Sequence, residues 1–368
     1  MPNNENNPPA RPSEIQTDAL QLGPRKKPRT TDPLVHHGRH FGRSIHALCN
    51  IHALINNGII RMGERSEEPE EAFTAHERRE HKVFLLLLKG VPGLEERIMT
   101  SSEEEVHIIA VLLQRGASSA RSDDTKSLKS AIVDWLLPAG EPLIPPIGRN
   151  SKIERGFNHE KTGSLLCPAG VDWNDQEIKQ KLRTGEFSVS GDQWPIFLYA
   201  SYEYDDANPW KGLLQSTILV KAFKHIFTSP SSVEREAKAT RSGNARIHGM
   251  TSVTHASIAY AATQARLHLA ALITARFALS SSSVFSRSDT ITDSERFYNS
   301  LFDFLQDPDE VHEVNALLSW WNRQVFPNYT ANAKPVSKNS ALAKIKAKRA
   351  ALKQAALRDV NASAASGN

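Results

Sequence analysis

The sequence has almost no cysteine and no long uninterrupted apolar run. Cys49 and Cys167 are the only cysteines among 368 residues, which is too few for a disulfide framework, so we expect two free thiols in a reducing compartment. The first residues contain no apolar stretch of the kind found in secretory signals. The longest apolar candidate, 256–279, is interrupted by side chains that are costly inside a bilayer, namely Gln264, Arg266, His268 and Arg276. We therefore expect no membrane association.

The sequence also lacks a recognisable catalytic signature, metal quartet or phosphate-binding loop. Four histidines are crowded near the start of the predicted domain, at His36, His37, His40 and His46. The spacing of His36 and His40 could hold a metal ion on a helix, but no cysteine or carboxylate completes a zinc site. Gly38 and Gly42 also argue against a stiff helix there. We interpret these residues as surface histidines and predict neither a metal nor another cofactor.

Apolar residues recur at helical spacing through most of the chain, and no alternating strand pattern of useful length is present. The start and stop signals predict eight helices. The first four cover 45–58, a segment that stops at Gly90 and Pro92, a segment from the capping box of Ser102 and Glu105 to Gly116, and a segment from Ser122 or Asp123 to Pro138. The last four run from Asn208 and Pro209 to Thr228, lie within 252–279, start at Thr292 and Glu295, and run from Asp307 and Pro308 to Pro327. We predict an all-α, irregular multi-helix domain over residues 36–327.

Three segments depart from this helical pattern. Residues 138–209 contain many prolines and several glycines, which predict a long irregular connection with one short helix at 175–183. Residues 1–35 are rich in proline and polar side chains and predict a disordered N-terminal arm. Residues 328–368 combine helix-forming residues with an excess of cations, so they predict a basic, helix-prone tail.

The excess of basic residues lies mainly in the C-terminal tail, and the N-terminal arm contains one short basic cluster. Lys26, Lys27 and Arg29 match a short nuclear-import pattern, although a solubilising arm would look the same. The tail has eight basic residues and one acidic residue, so its net charge of +7 exceeds the +4 of the whole chain. Its cations include Lys344, Lys346, Lys348, Arg349 and Lys353. Such a helix would release counterions from DNA or RNA and attach to it without sequence preference. The alternative is an ordinary soluble C-terminal extension.

The densest group of chemically active residues lies between two long apolar segments. It comprises Lys238, Arg241, Asn244, Arg246 and His248. The lysine and arginines supply charge for a phosphate, and Asn244 can bond to a base edge or to its own turn. The alternative is a polar turn whose arginines pair with acidic residues of the core. We treat the 238–248 segment as a candidate anion-binding or nucleic-acid-binding site.

Two further groups could be catalytic but have simpler explanations. Cys167 would need a nearby histidine to act as a nucleophile, the candidates being His159, His225 and His248. A cysteine between a leucine and a proline is more often a small buried apolar residue. Asp123 and Asp124 could exchange protons with a substrate, but their place before a helical pattern favours capping. We predict no catalytic residue.

Several separate strings of the sequence resemble one known family. They are Ser-Ser-Glu-Glu-Glu-Val at 101–106, Arg-Ser-Asp-Asp-Thr-Lys at 121–126, Arg-Gly-Phe-Asn-His at 155–159, Leu-Cys-Pro-Ala-Gly at 166–170, Gly-Asp-Gln-Trp-Pro at 191–195, and the stretch from Thr-Ser-Pro-Ser-Ser at 228–232 to Gly-Met at 249–250. Together they are similar to an uncharacterised domain family of mushroom-forming (agaricomycete) fungi, over residues 40–327. The resemblance implies a fungal source. Because that family has no assigned activity, it implies no functional residues.

One segment departs from the pattern of that family. There, a Gln-x-Arg sequence runs directly into Phe-Ala-Leu-Ser, whereas here Gln264 and Arg266 are separated from Phe277 by residues 267–276. An insertion of this length would rotate the rest of a helix by about three turns. Either the helix bulges into a loop at this point or the gene model is imperfect.

These observations favour a non-enzymatic helical module in the nucleus that binds nucleic acid or a nuclear protein through its tail and the 238–248 segment. Without import, a cytoplasmic location is expected. The alternative is an enzyme that holds an anionic substrate with Arg241 and Arg246 in a cleft near this segment. A protein-binding scaffold is the third possibility. If Arg241 and Arg246 lie in a closed pocket beside Cys167 or His159, an enzyme is favoured. If they lie on an open convex face, a binding protein is favoured.

Overall fold

The computed structural model describes residues 32–137, 141–151, 153–233, 243–270, 294–326 and 348. Within these ranges the chain contains no β-strand and only two isolated bridges, Pro168 with Pro195 and Tyr199 with Leu213. The helices are α1 (Pro33–Ser44), α2 (Ile51–Met62), α3 (Ala75–Gly90), α4 (Leu94–Thr100), α5 (Glu103–Asp134), α6 (Glu160–Leu166), α7 (Gln176–Thr184), α8 (Thr217–Phe223), α9 (Asn244–Ile247), α10 (His255–Leu269), α11 (Ser294–Phe304) and α12 (Val311–Val325). The predicted all-α fold is confirmed for this part of the chain.

Helix α5 contributes to both large hydrophobic cores. In its first half, Ile109 and Leu113 are buried against α1, α2, α3 and α4. In its second half, Leu128 and Ile132 are buried in a larger core that also receives side chains from α6, α8, α10, α11 and α12. The helix therefore links the two groups of packed elements.

The start of α5 was predicted correctly, but its predicted end was wrong. Ser102 and Glu105 form the expected capping box, in which each side chain accepts a hydrogen bond from the backbone N–H of the other. The helix does not stop at Gly116, and Asp123 does not cap a second helix, because α5 is continuous to Asp134. Gly116 lies where α1 crosses: a Cβ there would be 2.1 Å from the carbonyl oxygen of Val35.

The predicted helix over 45–58 was also wrong. Helix α1 ends at Ser44, and Asn50 starts α2 by accepting hydrogen bonds from the N–H groups of His52 and Ala53. Gly58 lies inside α2, where the ring of Phe84 fills the space that a side chain would need.

Gly38 and Gly42 lie inside a helix, contrary to the prediction, because both glycines serve helix packing. They lie within α1 on the side that faces α5. A Cβ at Gly38 would be 2.1 Å from the carbonyl oxygen of Leu113, and one at Gly42 would be 2.9 Å from the Cβ of Ala117. The two helices can approach this closely only where side chains are absent.

Helix α3 has one buried and one exposed face. It begins at a capping box formed by Thr74 and Glu77, which sequence reasoning missed, and it ends at Gly90 as predicted. Phe84 and Leu87 are buried in the core that α3 shares with α2. The opposite face remains open along the helix.

Where the structure describes it, the proline-rich connection packs on the helices through residues such as Ile147, Phe197 and Leu198. Its predicted short helix is confirmed as α7, which Asp175 caps through its side chain. The connection also contains α6 and a small core of its own, which buries Cys167, Trp173, Leu182 and Val189.

The predicted helix start at Asn208 and Pro209 was wrong. Helix α8 begins at Thr217, after Ser216. Gly212 and Leu214 have positive φ values of 73° and 57°, which no right-handed helix allows. Leu213 and Leu214 are buried, but they belong to turns and not to a helix. A short π-helical segment, Lys224–Thr228, extends α8 to the predicted end at Thr228.

The C-terminal helices follow the predicted signals where these are described. Asp307 caps a 3-10 turn, Pro308–Glu310, that leads directly into α12. Helix α10 ends at Leu269, within the stretch 267–276 that interrupts the family pattern. Among the described helices, none is both long enough and apolar enough to cross a membrane.

Several predictions concern residues outside the described ranges. These are the arm up to residue 31, the capping residue Thr292, Pro138, Pro327, most of the tail and residues 271–276 of the departing segment.

Candidate functional site

The short helix α9 places His248 against the first turns of α1. The imidazole of His248 lies between two rings of α1, with centroid distances of 4.2 Å to His36 and 4.5 Å to His40. The interplanar angles are 28° and 13°, so the three rings form a stack. Two groups of residues that looked separate in the sequence therefore belong to one surface.

The surroundings of this stack disfavour a positive charge on its imidazoles. The pKa of His248 is lowered to about 3, first by burial and then by His40, His36, Arg43 and His37. The pKa of His40 is lowered to about 4, first by burial and then by Arg43 and the neighbouring histidines. Both imidazoles are therefore neutral at pH 7 and can donate N–H groups without carrying charge.

The backbone at the start of α9 is pressed against the π-helical segment. A Cβ at Gly243 would lie 2.1 Å from the carbonyl oxygen of Thr228, so only glycine fits this contact. The amide of Asn244 donates to the carbonyl oxygen of Ile226 at 2.5 Å. Asn244 therefore orients α9 with one amide N–H, and its second N–H and its amide oxygen remain for a ligand.

The cations near the stack fall into two groups. Arg39 pairs with Asp123 at 2.8 Å, and Arg43 pairs with Asp124 in the protein interior. Arg246 is exposed on α9, and it has no acidic partner within the described part of the chain. The exposed cation of this site is therefore Arg246. We name the group of His36, His37, His40, Arg246 and His248 the α1–α9 surface.

The remaining predicted binding residues are only partly described. Lys238 and Arg241 lie outside the described residues, in the stretch that ends directly before Gly243. Of the tail cations, Lys348 is helical and exposed, while Lys344, Lys346, Arg349 and Lys353 lie outside the described residues. The same holds for Lys26, Lys27 and Arg29.

The two groups proposed for a nucleophilic mechanism have structural roles. Cys167 is buried, its Sγ contacts the carbonyl oxygen of Val171 at 3.4 Å, and burial with the nearby Asp172 raises its pKa to about 11. The imidazole of His159 uses Nδ1 to accept from the N–H of Lys161 and Nε2 to contact the carbonyl oxygen of Pro145 at 2.8 Å. Neither group is arranged for proton transfer to the other.

The other candidate histidines and carboxylates are also accounted for. His225 packs edge-on against Trp135, and His46 packs against Tyr298 and Phe302. Asp123 and Asp124 pair with arginines instead of capping a helix. Within the described residues, no group of three or more His, Cys, Asp or Glu side chains has a geometry that could hold a metal ion.

A family model matches residues 115–326, and its description is a family of unknown function, DUF6698. The chain belongs to the DUF6698 family. The uncharacterised domain expected from the resemblance is thereby confirmed, although the match begins at residue 115 and not at residue 40. Helix α9 lies inside the region that matches DUF6698 and α1 precedes it, so the α1–α9 surface joins the two. No curated protein and no solved structure matches the chain.

Proposed function

We propose that this DUF6698 protein is a non-enzymatic nuclear module that binds nucleic acid through the α1–α9 surface and the basic tail. The observation that carries the proposal is the stack of His248 on His36 and His40. It adds the histidines of α1 to Arg246 and creates a larger donor-rich surface than the 238–248 segment provides alone.

The chemistry of this surface suits phosphate groups. Arg246 offers a planar guanidinium that can bond two phosphate oxygens at once. Each neutral imidazole has one N–H group that can donate a hydrogen bond to a further oxygen. Lys238 and Arg241 precede Gly243 closely in the chain, so they are close enough in sequence to contribute more charge.

The tail would add attachment without sequence preference. Lys348 is exposed on a helical residue, and four further cations surround it in the sequence, Lys344, Lys346, Arg349 and Lys353. Each phosphate contact made by such a residue releases counterions, so binding weakens steeply as the salt concentration rises. We expect the tail to dominate affinity and the α1–α9 surface to position the ligand.

The proposal is tested by titrating the full-length protein into a labelled DNA duplex, and into single-stranded RNA, over a range of salt concentrations. Changing the five tail cations to Gln should reduce the slope of log K against log salt by about 0.9 for each duplex phosphate that is no longer neutralised. Arg246→Ala should weaken binding by at least about 10-fold, which corresponds to removing one charge-assisted hydrogen bond. Lys211→Ala is the matched control, because Lys211 is an exposed cation paired with Asp205 on another part of the chain.

Two results would contradict the proposal. The first is no binding by the full-length protein at low salt. The second is an equal decrease in affinity in Arg246→Ala and Lys211→Ala, which would place the binding residues away from the α1–α9 surface. If an acidic nuclear protein is the partner instead, binding to both nucleic acids will be absent.

The nuclear location rests on Lys26, Lys27 and Arg29. Substituting all three with Ala should move a fluorescent fusion of the full chain from the nucleus to the cytoplasm. Cytoplasmic fluorescence of the unchanged fusion would contradict the proposal. The fungal source implied by the resemblance stays a prediction.

A further inference from the structure

A groove runs along the exposed face of α3, on a different side of this helix from its packing against α2. Its outer part has a volume of about 850 Å³ and lies between α3 and the segment that joins α11 to α12. It continues into a cleft of about 570 Å³ beside the start of α10. Arg79, Lys82, Leu86 and Asp303 line both parts, so the two concavities are continuous. The ion pair of Arg79 with Asp303, at 3.0 Å, crosses the groove.

The floor of the groove contains two leucines that the protein itself leaves open. Leu85 and Leu86 are 47% and 41% exposed, although their neighbours Phe84 and Leu87 on the same helix are almost completely buried. Adjacent exposed leucines inside a concave surface differ from single apolar residues scattered on a convex one. Such an arrangement is typical of a surface that receives apolar side chains from a partner.

The charges of the groove are unevenly compensated. Lys82 and Lys89 flank the leucines on the same face of α3, one turn before and one turn after them, and neither forms an ion pair within the described residues. Of the carboxylates in the outer part, Asp303 pairs with Arg79 and Glu70 pairs with Arg61. Asp307 accepts a hydrogen bond from the N–H of Asp309 at 3.0 Å and keeps its negative charge. In the outer part, Lys82 and Lys89 therefore outnumber Asp307, so the charge without an ionic partner there is positive on balance. Glu80 and Glu295 line the inner cleft instead.

We infer that the α3 groove binds an acidic, amphipathic segment of a partner protein. Apolar side chains of the ligand contact Leu85 and Leu86, and its carboxylates pair with Lys82 and Lys89. Lys82 and Lys89 are separated by two helical turns, about 10 Å, which matches the spacing of anchor residues at i and i+7 on a bound helix. A peptide fits this pattern better than a nucleic acid does, because a phosphate backbone has no apolar group to place on the leucines.

The inference can be tested with a phage-displayed library of random peptides of about 16 residues, a length that allows a helix of about four turns. The library is selected on the full-length protein and, in parallel, on the charge-reversed variant Lys82→Glu/Lys89→Glu. We expect the unchanged protein to enrich peptides with Glu or Asp beside Leu, Ile or Phe at helical spacing. The charge-reversed variant should instead enrich peptides with Lys or Arg, since reversing a recognition charge reverses the preferred partner.

Two further variants separate the contributions. A synthetic copy of an enriched acidic peptide should bind Leu85→Ser/Leu86→Ser at least about 10-fold more weakly than it binds the unchanged protein, because less apolar surface is buried on binding. It should bind Lys211→Glu unchanged, since Lys211 lies outside the groove. Thermal unfolding of each variant shows whether it has remained folded. We expect every variant to fold, because all four substituted positions on α3 are exposed.

Three results would overturn the inference. They are no enrichment on the unchanged protein, enriched peptides without acidic residues, and peptide affinities that do not respond to charge reversal of Lys82 and Lys89. A DNA duplex that displaces the enriched peptide from the groove would also overturn it, because the groove would then be part of the nucleic-acid surface. The variants in α3 leave Arg246 and the tail unchanged, so failure here is independent of the proposed nucleic-acid binding.

Discussion

Arg43 and Asp124 form a two-pronged ion pair between the end of α1 and α5. The distances from Arg43 Nε to Asp124 Oδ2 and from Nη2 to Oδ1 are both 2.7 Å, and the two side chains are 2% and 7% exposed. The hydroxyl of Tyr260 on α10 donates to the same carboxylate at 2.7 Å. This network fixes α1, and with it His36 and His40, to two helices of the DUF6698 region.

Removing one member of this ion pair should destabilise the protein strongly. Asp124→Ala would leave the Arg43 guanidinium buried without its partner, which typically costs about 3–5 kcal/mol of unfolding free energy. Urea unfolding followed by circular dichroism measures this change. The double variant Arg43→Met/Asp124→Leu should be destabilised less than Asp124→Ala, because it removes both buried charges together. A destabilisation below about 1 kcal/mol in Asp124→Ala would show that the pair is not buried as described.

Gly116→Ala should destabilise the protein although alanine favours helices more than glycine. The new Cβ would lie 2.1 Å from the carbonyl oxygen of Val35, so α1 would have to move away from α5. Gly90→Ala is the matched control, because its Cβ would meet only Ile45 at an ordinary 3.5 Å. We expect Gly90→Ala to be neutral or stabilising by up to about 1 kcal/mol, and Gly116→Ala to unfold at lower urea concentration. Equal midpoints for the two variants would contradict the close approach of α1 to α5.

These glycines also show why part of the fold could not be predicted from the sequence. Local signals placed the capping box at Ser102 and the ends of α3 and α8 correctly, because those signals act within a few residues. The same rules read Gly116 as a stop, but tertiary packing decides its role. At Asn50 the local signal was present but outweighed by the apolar pattern around it. Asn50 caps α2, whereas the sequence predicted one helix over 45–58.

The candidate site was predictable only as separate pieces. The 238–248 segment and the histidines of α1 each stood out in the sequence, yet nothing local indicates that His248 stacks on His36 and His40. That stack joins residues far apart in the chain and depends on how α1 packs against α5. The anchoring role of Asn244 was likewise hidden, because its partner is a backbone carbonyl of Ile226.

Acidification should weaken the fold partly through the histidine stack. An unfolded histidine has a pKa of about 6.5, whereas the folded values are about 4 for His40 and about 3 for His248. Between these values the unfolded chain binds more protons, so the unfolding free energy falls as the pH drops below about 6.5 and is unaffected by these groups above that pH. The unfolding free energy of His248→Gln should therefore fall less than that of the unchanged protein between about pH 7 and about pH 5.

The control for this pH dependence is His312→Gln, since the side chain of His312 is 95% exposed. This variant should keep the acid sensitivity of the unchanged protein, measured by urea unfolding at each pH. If the unfolding free energies of His248→Gln and His312→Gln fall equally on acidification, the stack does not determine the acid response.

The two cysteines should react slowly in the folded protein. Burial raises the pKa of Cys49 to about 12 and that of Cys167 to about 11, so little of either thiol ionises at pH 8. Because only the thiolate attacks iodoacetamide, we expect labelling of both residues to be at least about 100-fold slower in the folded than in the unfolded protein. Mass spectrometry of timed samples measures both rates. Rapid labelling of Cys167 in the folded protein would contradict its structural role and favour the enzyme alternative.

The central claim is that α1 and α9 form one surface for nucleic acid, and histidine-selective NMR tests it most directly. A DNA duplex is added to full-length protein labelled only in its histidines, with signals assigned by single substitutions. We predict that the imidazole signals of His36, His40 and His248 shift together in proportion to the bound fraction, while that of the exposed His312 stays in place. Saturated binding that leaves the His36, His40 and His248 signals unmoved would contradict the claim.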